Sequence, residues 1–321
     1  MTYASRSKSA QQRSGVFISY ARSDGEAFAH RLRQQLEKQN IGLWQDRVGM
    51  EGGRAVTFAR KGDETAERQL RADGEHKSAV DEARRALKSR KMAFAESSIV
   101  PYNAALKRQL ASADLVVSVG GDGTLLRASQ YVRGGMVIGV NSAPGDSVGR
   151  FCTANRENFA ERLDTILTLK WRPVELARLR VRLDGKTLPE LALNDVLVAH
   201  YSPAATTLYL IEVGDQVEEQ RSSCVWISTA AGSTAGIGSA GGRRMSLRSR
   251  HIQFLARELY REPDREYKLT RGLAPPGSGV TIASKMPDGR LFIDGARAQH
   301  PFPFGARAHI EIAQESLKLF L

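Results

Sequence analysis

The chain has only two cysteines, Cys152 and Cys224, in 321 residues. That is too few for a disulfide framework, and the spacing suits no metal site, so reduced thiols in a cytoplasmic protein are expected. No apolar run approaches the length of a membrane span. Met1 to Ser9 has no apolar core and does not read as a secretory signal, and residues 1–13 are expected to be a loose polar leader. There is no internal repeat and no low-complexity tract. Acids are in the minority, 35 against 47 Lys and Arg, for a net charge of +12. The basic residues are scattered except for Arg243, Arg244, Arg248 and Arg250. No recognisable nucleic-acid fold accompanies them. The excess reads as solvated faces with an attraction for nucleotide phosphates, with neither nucleic acid nor membrane as partner.

What is present is ordinary for a globular protein: 41% hydrophobic and 26% charged residues, in a chain long enough for two domains. One stretch organises the rest. Leu115-Val116-Val117-Ser118-Val119 is a short β-branched run. Gly120-Gly121-Asp122-Gly123-Thr124 closes it, and a helical pattern begins at Leu125. This reads as a buried strand, a turn and a helix start. Backbone N–H groups at such a turn suit phosphate. A carboxylate there repels phosphate unless it binds a metal or takes a proton from a nucleophile, which makes Asp122 a candidate base. Taken alone, the stretch reads more readily as a plain tight turn.

Around it, strands and helices alternate. Helices are expected at about 75–88, with Val80, Ala83 and Leu87 inward, and at 104–111, 125–131 and 158–170. Strands are expected at 55–59, 93–95 and 136–141. Such alternation implies a parallel, helix-covered sheet with its ligand at the carboxyl ends of the strands. From Trp171 the pattern becomes alternating strands with hairpin turns such as Asp184-Gly185, a mainly β domain. Three features there join the glycine turn, the last of them on its own no more than a hairpin turn. Asn194-Asp195 interrupts a strand, and its side chains can bond ribose hydroxyls or simply mark a bulge. Ser228 to Gly242 is a small, hydroxyl- and glycine-rich loop. Phe292-Ile293-Asp294-Gly295 ends a strand in an acid–glycine turn.

In this order the motifs resemble the NAD kinase family from about Arg54 to the C-terminus. Gly120-Gly121-Asp122-Gly123-Thr124 matches its glycine motif, which lipid kinases share. Asn194-Asp195 falls where the family has Asn followed by an acid, and Thr229 to Gly242 matches its threonine- and glycine-rich motif. Val137 to Gly149, Arg221-Ser222-Ser223 and Phe254 to Glu258 look closer to the mitochondrial-type branch. Three departures stand out: Asp195 for the usual glutamate, Gly236 for an aromatic residue, and Cys224 for a glycine. Residues 15–53, with Phe17-Ile18-Ser19-Tyr20, Asp24 and Gly42-Leu43-Trp44-Gln45-Asp46, resemble the start of a TIR domain. No segment matches that family's later catalytic glutamate, and a piece of roughly forty residues rarely holds a core alone.

The resemblance implies a Rossmann-like parallel α/β domain followed by a mainly β domain. The expected division is a leader at 1–13, a partial TIR-like segment at 14–53, the α/β domain at 54–170 and the β domain at 171–321. It implies phosphoryl transfer from ATP, with Mg²⁺, to the adenosine-ribose 2′-hydroxyl of NAD. Asp122 would be the base. Gly120, Gly121, Gly123 and Thr124 would hold donor phosphates, and no residue is assigned to a metal. Asn194, Asp195, Thr234, Ala235 and Ser239 would bind the dinucleotide. It also implies a homo-oligomer, dimer or tetramer, and the TIR-like segment suggests a TIR-type protein partner. The alternatives are a nucleotide sensor weakened in turnover, as in TIR-linked signalling or defence, and a lipid kinase.

Overall fold

The computed structural model of this chain describes residues 16–20, 64–98 and 103–321. The expected leader, the strand at 55–59 and all of the TIR-like segment except Val16–Tyr20 lie outside these residues.

The first layer is built from β1 (Val16–Tyr20), α1 (Glu64–Ser89), β2 (Phe94–Ser98), α2 (Ala104–Ser112), β3 (Leu115–Gly120), α3 (Asp122–Ser129), β4 (Met136–Asn141), a two-residue β5 (Ala154–Asn155) and α4 (Phe159–Leu167). The strands run parallel in the order β2-β1-β3-β4, with β5 beside β4. Strand β1, the opening of the TIR-like pattern, is therefore an inner strand of this sheet.

Strand β3 is buried along its whole length. Successive side chains of a strand point to opposite faces. Leu115, Val117 and Val119 accordingly pack with Val80, Ala83 and Leu87 of α1 and with Phe159 and Leu163 of α4. Val116 packs on the other face with Leu106 and Leu110 of α2 and Leu125 of α3. Burial on both faces is why the run is apolar without alternation. Helix α1 starts earlier than its apolar stripe indicates. Its first turns carry charge, and ion pairs such as Lys77–Asp73 and Arg85–Glu82 line the helix without leaving a hydrophobic period to read.

The chain continues with β6 (Val174–Leu176), β7 (Leu179–Leu183), β8 (Lys186–Ala192), β9 (Asp195–His200), β10 (Thr207–Val213), β11 (Gln216–Ser222) and β12 (Cys224–Ser228). After a 3-10 turn at Ala231–Thr234 come α5 (Gly236–Ser239), β13 (Ile252–Arg257), β14 (Arg271–Ala274), β15 (Val280–Ser284), β16 (Gly289–Ile293), β17 (Ala298–Pro301), β18 (Arg307–Ile312) and β19 (Leu317–Leu319). Two antiparallel sheets, ordered β11-β10-β15-β18-β7-β8 and β14-β13-β12-β9-β16-β17, enclose one core. Val181, Tyr209, Ile282 and Ile310 from the first meet Val196, Val198, Val225, Ile227 and Ile293 from the second. The Asp184-Gly185 hairpin forms as its residues suggest, both with positive φ (49° and 78°).

The β region expected over 171–321 lends two strands to the first sheet, since β19 pairs with β4 and with β6. The alternating run Val174 to Leu183 consequently splits in two. At the break, Arg178 is completely buried. Its guanidinium donates to the carbonyls of Ser129 (2.9 Å), Val132 (3.0 Å), Glu315 (3.1 Å) and Ser316 (3.2 Å). It thereby ties the end of α3 and the C-terminal strand to the chain crossing. Burial lowers its pKa to about 9. Replacing Arg178 with Leu leaves these carbonyls without a donor. A buried unsatisfied group costs about 1–3 kcal/mol, so a loss of at least about 3 kcal/mol is expected. The denaturant midpoint of the variant against the parent protein measures it.

Candidate functional site

Strand β3 ends at Gly120, opposite Asn141 at the end of β4. Gly120 has φ 150°, and a Cβ there would lie 2.4 Å from Thr124 Oγ1, so only glycine lets the chain turn this tightly into α3. The N–H groups of Thr124 and Leu125 bond back to the Gly121 carbonyl at 3.0 and 3.3 Å. Those of Asp122 and Gly123 fall in the first turn, where a helix has no internal acceptor for them. The positive end of the α3 dipole therefore opens at the carboxyl edge of the parallel sheet, the position the sequence assigned to a phosphate.

The Asp122 carboxylate is turned toward the chain that follows β4. Its two oxygens accept the N–H groups of Arg150 and Phe151, each at 2.8 Å. That loop is braced by Asn141, whose Nδ2 donates to Ser147 O (3.1 Å) and whose Oδ1 accepts from Ala143 N (3.2 Å). Asp122 and Leu126 are four residues apart and share a face of α3. Leu126 lines a cavity of about 480 Å³ between α3 and the second antiparallel sheet.

This cavity has apolar walls at Leu126, Leu197, Trp226 and Phe292, and polar groups at Asn194, Asp195 and Asp294. Asn194 lies where the chain leaves β8 for β9 and so changes sheets. The turn after β16 fixes that crossing. The Asp294 carboxylate accepts the N–H groups of Leu193 (2.7 Å), Asn194 (2.7 Å) and Asp195 (3.1 Å). Its own N–H donates to Asp195 O at 3.0 Å. At the far end of α3, Gln130 Nε2 donates to Ile293 O at 3.0 Å. Burial raises the pKa of Asp195 to about 7, and the neighbouring Asp294 pushes it the same way. Burial also raises Asp294, to about 6, against the pull of its three amide donors. Asn194 Oδ1 and Trp226 Nε1 are buried without a hydrogen-bond partner.

The structure brings Asn194 and Asp195 to one cavity and sets the glycine turn at the head of the helix that walls it. Thr234 and Ala235 are half-buried and Ser239 is exposed, and none of the three lines this cavity. Their loop is nonetheless fastened to it. Thr229 Oγ1 donates to Leu193 O (2.5 Å), while Thr229 N and Ser228 Oγ both donate to Asn194 O (2.9 and 3.0 Å). The arginine-rich stretch forms an exposed loop held by Met245 N to Ser233 Oγ (3.0 Å). Trp226, Leu197 and Leu126 carried no signal in the sequence beyond that of core residues. Asp294 had one, as the acid of an acid–glycine turn after a strand.

A family profile for the ATP-NAD kinase N-terminal domain matches residues 27–170, starting inside the TIR-like segment. The chain is 35% identical over 230 residues to a probable NADH kinase of Oryza sativa subsp. japonica, covering 65% of this chain and 71% of that protein. The chain belongs to the NAD kinase family. An NADH kinase of Arabidopsis thaliana is 32% identical over 239 residues, covering 67% of this chain and 75% of its own length. Among solved structures, an NAD kinase from Archaeoglobus fulgidus in complex with ATP superposes with a TM-score of 0.62 at 22% identity, over 75% of this chain and 89% of that one. Yeast NADH kinase complexed with NADH gives 0.56 at 17% identity, over 70% and 65%. The two structures share the fold, a parallel α/β layer joined to antiparallel sheets. Among the described residues, no helix is long and apolar enough to cross a membrane.

The raised pKa of Asp195 gives a signed expectation. A carboxyl group whose pKa is higher in the native state than in the unfolded one disfavours folding once it ionises. Stability is therefore lost as pH rises from about 4, the ordinary value, to about 7. Asp195→Asn never ionises. Its stability relative to the parent should climb across that interval and level off above it, as read from urea denaturation at a series of pH values. A difference that stays flat would show that Asp195 is not desolvated.

Proposed function

We propose that this NAD kinase family member transfers the terminal phosphoryl group of ATP to the adenosine-ribose 2′-hydroxyl of NAD or NADH. The observation that carries the proposal is the placement on α3. Its N-terminus presents the glycine turn and Asp122, and one turn along the same face Leu126 walls a cavity that Asn194 and Asp195 share. Donor phosphates sit at the N–H groups of Gly121, Asp122 and Gly123, with Gly120 and Thr124 shaping the turn. The dinucleotide occupies the cavity, with Asn194 and Asp195 on its ribose or base and Thr234, Ala235 and Ser239 along its flank.

In the reaction the 2′-oxygen attacks the γ-phosphorus, its proton passes to Asp122, and ADP leaves with the electrons of the broken P–O bond. Asp122 reaches the hydroxyl by releasing or sharing its bonds to Arg150 and Phe151. Among the described residues no group of three acidic, histidine or cysteine side chains could hold a metal ion. Mg²⁺ would come with the ATP phosphates and neutralise their charge. The TIR-like pattern at 15–53 stays a sequence resemblance whose first strand serves the kinase sheet.

One observation favours a second reading, a nucleotide sensor without turnover: both Asp122 oxygens are engaged by backbone amides. A single assay separates the two. Purified protein with ATP, Mg²⁺ and NAD or NADH should yield NADP or NADPH. Asp122→Asn should lower kcat by about 10²–10⁴, the usual contribution of a general base, while dinucleotide binding persists. Tight dinucleotide binding by the parent protein with no phosphorylated product supports the sensor. Full activity in the variant refutes Asp122 as the base.

A further inference from the structure

The face of the second antiparallel sheet that looks away from the sandwich core carries a row of three side chains. Leu197 of β9 stands directly opposite Trp226 of β12 on one side and Phe292 of β16 on the other. Their neighbours Val196, Val198, Val225, Ile227, Leu291 and Ile293 point into the core, as strand alternation requires. The row is therefore free to form one side of the cavity that Leu126 closes from α3. It is a flat apolar surface with an aromatic ring at each end.

Gly236, at the start of α5, makes room for the larger ring. A Cβ at this position would lie 2.7 Å from Trp226 Cη2, 2.9 Å from Cζ2 and 3.1 Å from Cζ3. Any other residue here would displace the indole. Trp226 Nε1 and Asn194 Oδ1, a donor and an acceptor, are the cavity-lining residues' buried polar atoms left without a partner in the described structure. Buried polar groups are nearly always paired, and both orphans belong to residues that line this one cavity.

We infer that the Trp226–Leu197–Phe292 row is the shelf on which a planar base of the dinucleotide stacks, with Trp226 as its principal binding residue and Gly236 as the residue that admits the indole. This rests on the proposed kinase activity and adds the part of the substrate that the shelf receives. The ligand chemistry is a flat heteroaromatic ring with hydrogen-bonding groups at its edge. Two parts of the substrate offer it, the aminopurine at one end and the pyridine carboxamide at the other.

The test compares Trp226→Ala and Trp226→Phe with the parent enzyme. Base–aromatic stacking is worth about 1–3 kcal/mol by alanine substitution, so Trp226→Ala should raise KM for the dinucleotide by about 5- to 150-fold. KM for ATP should stay unchanged, and Trp226→Phe should recover most of the loss. AMP and nicotinamide mononucleotide, used as competitive inhibitors, identify the stacked end: the one whose inhibition weakens in Trp226→Ala occupies the shelf. An unchanged dinucleotide KM in Trp226→Ala overturns the inference. If that variant fails to fold, Trp226 emission is read in a Trp44→Phe/Trp171→Phe protein. Quenching by NAD supports the shelf, and no quenching at saturating NAD overturns it. The same emission reading decides the shelf when no NADP forms, so failure of the kinase proposal and failure of the shelf are told apart.

Discussion

The site depends on one carboxylate. Asp294 accepts three successive backbone N–H groups, those of Leu193, Asn194 and Asp195, at the point where the chain passes from one antiparallel sheet to the other. A crossing between sheets leaves amides without ladder partners, and buried amides must be paired somewhere. Asp294 supplies that pairing from a neighbouring hairpin turn and so fixes the residues that border the cavity. It also places a second acid beside Asp195: burial raises both carboxyl groups toward neutral pH, and for Asp195 the neighbouring Asp294 adds to the rise. The same contact thus sets the geometry of the cavity and its charge.

Helix α3 joins this arrangement to the parallel sheet. It begins in the glycine turn, walls the cavity at Leu126 and reaches the Asp294 hairpin through Gln130. Just past its end, Arg178 draws the Ser129 and Val132 carbonyls onto a guanidinium that also holds the C-terminal strand. A short helix held at both ends keeps the glycine turn and the cavity wall at a fixed separation. Phosphoryl transfer, which depends mainly on positioning and charge, benefits from such rigidity.

The glycine turn, the helix-covered parallel sheet and the Asn194-Asp195 pair were legible because each leaves a local mark. The marks are a β-branched run between glycines, apolar residues at helical spacing, and a polar pair inside a strand. The course of Val174 to Leu183 was not. The run alternates like one strand, yet Arg178 breaks it, because its partners lie some fifty and more than a hundred residues away in sequence. The early start of α1 was hidden for the opposite reason: its first turns are rich in charged and polar residues, so no hydrophobic period exists there.

The sequence by itself determined the chemistry on offer, namely a glycine turn with an acid in it, a loop of small hydroxyl residues and a family likeness that its relatives bear out. Only the tertiary structure decided which side chains meet. Trp226, Leu197 and Phe292 form a row because three strands distant in sequence share a register, and Asp294 governs Asn194 across a hundred residues. Such pairings arise from strand order, which no local pattern encodes. The same geometry placed Thr234, Ala235 and Ser239 beside the cavity rather than on its wall, and turned the Asp122 carboxylate onto the amides of Arg150 and Phe151.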